Sequence, residues 1–303
     1  MAITTPAGTS RRNFIRLTGT LGVAAGLAAS VAACGKGGKA ANKDGVITAG
    51  ISYELGTNGY DPATTSSALT IAANWHTMEG LTDIHPATRK VYAALAAEMP
   101  KKIDDTTYEV TLRKDAKFSN GSPVTTEDVL YSFQRVIDPA NKSLYSQFLP
   151  FIDKVEAKDA STITFKLKHA FVLLPERLSV VKIVPKAVVE ADPKNFTYNP
   201  VGSGPYKMTD NGAAKQVIVF ERNDHYNGPY PALVKTMKWN IMPDDTTRTN
   251  AMTSGSVQAI DAVPAANLPT FKEPIKVSAL QGFSLLFAMF NNTSFSNVKA
   301  RQA

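Results

Sequence analysis

A single cysteine, Cys34, among 303 residues excludes an intramolecular disulfide framework, and without a CxxC pair there is no thiolate-rich structural zinc site. Histidine is almost as scarce. His76, His85, His169 and His225 lie more than four residues from one another, so two-histidine zinc helices of the HExxH kind are absent. The nucleophile-elbow pattern GxSxG is missing, and no GxGxxG or GxxxxGKS/T phosphate loop follows the N-terminal region. Gly202-Ser203-Gly204-Pro205 sets a serine between glycines at the wrong spacing for that elbow and reads as a turn leading into a strand. The paired acids Asp104-Asp105 and Asp244-Asp245 fall in turn or helix-start contexts, where solvated caps are their ordinary use. No catalytic constellation, metal ligand set or cofactor motif emerges, which points away from an enzyme.

A charge surplus is also small once it is placed. The formal charge of +7 comes from 33 Lys and Arg against 26 Asp and Glu, but Arg11, Arg12 and Arg16 lie in an acid-free segment over residues 1–33. Without that segment the charge falls to +4, and no Lys/Arg run remains to track a phosphate backbone, so nucleic acid is not an expected partner. What is abundant is apolar material. At 44% hydrophobic residues, the chain can bury a core of about two domains.

The N-terminus is organised as an address. Ser10-Arg11-Arg12-Asn13-Phe14-Ile15-Arg16 precedes an uncharged stretch, Leu17 to Ala33, giving the basic start, apolar middle and small-residue end of an export signal over residues 1–33. Gly19, Gly22 and Gly26 make that stretch a poor membrane span, which needs about 20 mostly apolar residues. Arg11 and Arg12 followed by Phe14 and Ile15 resemble the twin-arginine export motif, and Val31-Ala32-Ala33-Cys34 resembles the bacterial lipobox. The second resemblance implies that Cys34 is lipidated and anchors the mature chain to the plasma membrane. Residues 34–45, with Gly35-Lys36-Gly37-Gly38-Lys39, read as a flexible tether.

Beyond the tether, helical and strand periods alternate, as in an α/β fold. Strands are expected over Val46–Tyr53, Tyr108–Leu112, Thr162–Leu167, Gln216–Arg222 and Thr236–Ile241. Helices are expected over Ala68–Met78, with Ser67 as a candidate cap, and from Thr125, whose third helical position holds Asp128 at the positive end of the macrodipole. A short helix over Asp244–Thr253 has Gly255 placed to end it in a left-handed cap.

Several stretches together resemble the oligopeptide- and dipeptide-binding lipoproteins of ABC importers, solute-binding family 5. The longest runs from Leu112-Arg113-Lys114-Asp115-Ala116-Lys117-Phe118 through Ser119-Asn120-Gly121-Ser122-Pro123 to Val124-Thr125-Thr126-Glu127-Asp128-Val129. Asn120 stands where that family usually has Asp, and suits a tight turn equally. Tyr60-Asp61-Pro62, Met78-Glu79-Gly80-Leu81, Pro200-Val201-Gly202-Ser203-Gly204-Pro205-Tyr206, Asn291-Asn292-Thr293 and Val298-Lys299-Ala300-Arg301-Gln302-Ala303 resemble further segments of it, in the same order.

The resemblance implies a type II periplasmic-binding-protein-like α/β clamp of the branch with an extra lobe. Residues 46–78 and 168–282 would form the first main lobe, 79–167 the extra lobe, and 283–303 the start of a second main lobe. The nearly continuous apolar run Phe283–Phe290 has little chain after it to cover it, and the helical pattern from Val298 stops within two turns. The chain therefore reads as truncated before most of that second lobe.

By resemblance, Ser66, Ser67 and Ala68 match backbone that pairs with a peptide ligand, Tyr145 matches an aromatic facing it, and Gln281, Gly282 and Phe283 lie where the chain crosses between lobes. The implied protein is an extracytoplasmic monomer on the periplasmic face or outer surface, delivering peptides to ABC permease subunits. Three alternatives remain open: a binder of oligosaccharides or metal chelates in the same family, a secreted hydrolase of unrecognised type, and a non-functional gene fragment.

Overall fold

The computed structural model describes residues 45–56, 58–279, 293–294 and 296–299. In chain order its elements are β1 (Val46–Ile51), α1 (Ala68–Thr77), β2 (Thr82–Ile84), β3 (Val91–Ala93), β4 (Lys101–Lys102), β5 (Thr107–Thr111), α2 (Thr126–Ile137), β6 (Ile152–Ala157) and β7 (Thr162–Leu167). The short helices α3 (Leu174–Leu178), α4 (Lys186–Ala191) and α5 (Pro193–Tyr198) follow. The described part closes with β8 (Tyr206–Asn211), β9 (Val217–Arg222), β10 (Thr236–Ile241), α6 (Asp245–Thr253) and β11 (Ala259–Ile260).

The elements build two main sheets. In the first, the order is β11-β1-β10-β9-β8; β1 runs parallel to β10 and β11, while β8, β9 and β10 form an antiparallel run. Its buried positions alternate, with Ile218 and Phe220 on β9 and Met237 and Trp239 on β10. Helix α1 lays Leu69 and Ala73 onto that face beside Tyr60 and Tyr206, closing one core. Trp239 is therefore a core residue.

The second sheet is antiparallel, in the order β4-β5-β7-β6. Tyr108 and Val110 of β5 and Ile163, Phe165 and Leu167 of β7 point to its buried face, against Val129, Phe133 and Val136 of α2. The rings of Phe133 and Phe165 meet edge to face at 5.0 Å. Each such buried side chain stabilises by about 1.5–3 kcal/mol, so the alternation and the helical stripe fix how this layer packs. The core does not end with β7. Leu174, Leu178, Val181 and Ile183 belong to it too, so the packed cluster extends past β7 as far as Ile183. The apolar spacing of α3 reaches back to β2, which a reading by motif alone does not register.

Local signals account for most element ends. Thr125 and Asp128 form a reciprocal cap: Asp128 N donates to Thr125 Oγ1 at 3.3 Å and Thr125 N donates to Asp128 Oδ2 at 2.9 Å. Asp244 caps α6 by accepting from Thr247 N at 2.7 Å, and Gly255 follows its end at φ +74°. Two expectations shift. β1 stops at Ile51 because Ser52 turns its N–H and hydroxyl to the Asp261 carboxylate, at 2.7 and 2.9 Å. Ser67 is the residue before α1, but its side chain makes no capping bond. At the far end, Asn297 Oδ1 accepts from Lys299 N at 2.9 Å, as a helix cap does.

Candidate functional site

The expected ligand-contacting residues that are described fall on one side of α1. Ser66 and Ala68 are exposed and Ser67 half-buried, just before and at the helix start. Tyr145 reaches them from the segment after α2: its hydroxyl donates to Thr65 O at 2.6 Å, and Ser143 Oγ donates to Ala63 O at 2.7 Å. Burial pushes the Tyr145 phenol upward, which keeps it a neutral donor at ordinary pH. The structure thus ties Tyr145 to Thr65, the residue just ahead of the 66–68 segment, across 80 residues. Arg11, Arg12, Cys34, Gln281, Gly282 and Phe283 lie outside the described residues.

Beside Tyr145 opens a cavity of about 240 Å³. Ile71 and Trp75 of α1 form one wall, and Tyr145 with Phe148 forms another. Arg177, Ser179, Val180 and Lys182 close it from α3 and the segment after it. Trp75 is 53% exposed, unusual for the largest apolar side chain on a short helix. The Arg177 guanidinium lies over the Phe148 ring, 5.8 Å from its centroid. Reading the sequence missed Trp75, Phe148 and Arg177. Ile71 and Trp75, four apart, form a second apolar stripe on α1, offset from the Leu69–Ala73 stripe that faces the core, and that stripe was the available signal.

Three largely buried ion pairs fasten segments of the surrounding fold. Asp61 caps its own turn through Ala63 N at 3.0 Å and receives Arg135 of α2 at 2.5 Å. Asp83 accepts Gly80 N at 3.0 Å and pairs with Lys182 at the cavity. Glu79 takes both terminal nitrogens of Arg113 at 3.0 Å, a fork-to-fork contact. Burial holds the Glu79 carboxyl above its ordinary range, with Arg113 opposing that shift. The motif residues Asp61, Glu79 and Arg113 therefore work as internal fasteners.

Ser203 is wholly buried, so Gly202-Ser203-Gly204 presents no accessible nucleophile. Among the described residues no group of three His, Cys, Asp or Glu side chains is arranged to hold a metal ion.

The family described as bacterial extracellular solute-binding proteins, family 5 matches residues 90–303. Protein XP55 of Streptomyces lividans is 36% identical over 169 residues, covering 54% of this chain and 30% of that protein. The dipeptide-binding protein DppE of Bacillus subtilis is 28% identical over 318 residues, covering 93% of this chain and 57% of DppE. Among solved structures, the binding protein AgaA from A. tumefacien R10, in complex with agropinic acid, superposes with a TM-score of 0.69 at 27% identity, covering 75% of this chain and 45% of AgaA. The chain thus spans well under two thirds of the length of these relatives. The match over residues 90–303 covers more than half of the chain, and the chain belongs to the bacterial extracellular solute-binding proteins of family 5.

Proposed function

We propose that this chain is part of the solute-capturing component of an ABC importer and that its solute is a short peptide. The observation that carries this reading is the cavity beside α1, where Tyr145 is fastened to the backbone of Thr65, just ahead of the exposed Ser66, and aromatic rings line a recess. Extended peptides are held by backbone hydrogen bonds, with tolerant pockets for alternate side chains, and this recess suits one such side chain. DppE is named for dipeptides, which favours the same reading; AgaA is named with an opine, which makes a small organic acid the second reading.

On this proposal the importer's permease subunits are the partners, and Gln281, Gly282 and Phe283 serve the crossing between lobes. Arg11 and Arg12 direct export, and lipid on Cys34 holds the protein at the outer face of the plasma membrane. Replacing Cys34 with Ala should release the protein from the detergent phase.

The test of the central reading is calorimetry of the chain with a pool of dipeptides and tripeptides. Saturable heat that is lost in Tyr145→Ala is the expected result. No heat from the pool together with saturable binding of agropinic acid would replace peptides by the second reading.

A further inference from the structure

The cavity beside α1 carries an unbalanced charge. Of the side chains lining it, two are cationic, Arg177 and Lys182, and none is a carboxylate. Lys182 is neutralised: its side chain is only 8% exposed and its ammonium pairs with Asp83. Arg177 is not. It has no carboxylate partner among the described residues, and its guanidinium lies over the Phe148 ring. The ring holds the guanidinium at the wall while leaving its edge donors unspent, and that edge is a planar fork matched to a carboxylate.

The rest of the wall is largely apolar, with Ile71, Trp75 and Val180. A cation set against low-dielectric walls attracts an anion more strongly than the same cation in open water. At about 240 Å³ the recess is smaller than a pocket for a whole drug-sized ligand, so it suits one terminal group of a solute.

From this juxtaposition we propose that Arg177 is a specificity-determining residue, selecting solutes whose apolar or aromatic end group carries a carboxylate. The proposal rests on the reading of this cavity as the solute site and names the charge that site accepts. It does not depend on the solute being a peptide.

Two matched pairs of probes separate these points: the tripeptide Ala-Phe-Ala with its C-terminal amide, and 3-phenylpropionate with 3-phenylpropionamide. Binding to the full chain is followed by calorimetry and by the fluorescence of Trp75, since the other tryptophan, Trp239, is buried. A hydrogen-bonded charge pair is expected to favour at least one acid over its amide by about tenfold or more. Arg177→Gln should remove that preference, so that acid and amide bind alike, and Arg177→Lys should retain part of it. A melting curve for each variant checks the fold.

Acid preference in the phenylpropionate pair, with neither tripeptide bound, keeps the inference and removes the peptide reading. Tripeptides that bind equally as acid and amide with no acid preference in the phenylpropionate pair, or a preference that survives Arg177→Gln, overturn the inference and leave the peptide reading standing. Failure of all four probes to bind overturns both.

Discussion

Tyr145 Oη lies 2.6 Å from Thr65 O, tying the segment after α2 to the backbone just ahead of α1. The bond joins the two stretches that the proposed ligand would touch, so its loss should loosen the cavity wall as well as the fold. Tyr145→Phe keeps the ring and removes only the donor. A net loss of about 1 kcal/mol in urea unfolding is expected, with Tyr145→Ala costing more because the ring also goes. An unchanged midpoint for Tyr145→Phe would mean that water satisfies Thr65 O equally well.

The Glu79–Arg113 pair makes a sharper prediction. The Glu79 side chain is 5% exposed and that of Arg113 15%, so neither partner is well solvated alone. Arg113→Ala strands a buried carboxylate and should destabilise by about 3–5 kcal/mol. Adding Glu79→Gln to that variant replaces the stranded charge with a neutral amide and should recover part of the loss. Urea midpoints of wild type, both single variants and the double variant give the coupling directly. A double variant no more stable than Arg113→Ala would contradict the assignment of the loss to the stranded charge.

These fasteners also mark what was legible beforehand. The reciprocal cap at Thr125 and Asp128 lies within one helical turn, and the strands β7 and β10 show their burial in simple alternation, so residue order alone reveals them. The Asp83–Lys182 pair joins positions 99 apart, and nothing in either neighbourhood names its partner. The cavity is hidden for the same reason: Trp75, Phe148 and Arg177 come from three separate segments, and each alone reads as an ordinary surface residue. Tyr145 was legible only because the surrounding motif resembled a family, not because a tyrosine there obeys any period.

The Gly202-Ser203-Gly204 turn presses against the end of α1. A Cβ on Gly202 would sit 2.2 Å from Thr77 O, and one on Gly204 2.5 Å from Thr77 C, while Gly204 N donates to Thr77 O at 3.0 Å. Both atoms in the way are backbone, so no rotamer change relieves the clash. Gly202→Ala should cost several kcal/mol or leave the chain insoluble, beyond the ordinary ~1–3 kcal/mol of overpacking. Gly255→Ala is the control. Its φ is +74°, but a Cβ there meets nothing within 4 Å, so only the left-handed conformation is penalised, by about 1–2 kcal/mol. Equal losses at the two positions would refute close approach as the reason for glycine at 202.

His76 supplies the pH dependence. Its ring stands edge-on to Trp239 at 5.4 Å and to Tyr206 at 6.1 Å, and burial pushes its pKa down to about 4. The unfolded chain should titrate this group near the ordinary value of about 6.5. Between those two values the unfolded state holds a proton that the folded state does not, so stability rises with pH across the window. The contribution is fully present above about pH 7, is lost as the pH falls, and is gone below about pH 4. The full span is on the order of 3 kcal/mol, of which about 2 kcal/mol should be lost by pH 5. Carboxylates titrating at the lower end of this window add their own slope, so wild type must be compared with His76→Phe, which keeps a ring among the aromatics and removes the proton site. Urea unfolding at pH 7.5 and pH 5 should show a smaller drop in the variant, by about 2 kcal/mol. Equal drops in the two proteins would mean that the imidazole takes up its proton while folded, and that water reaches it between Trp239 and Tyr206.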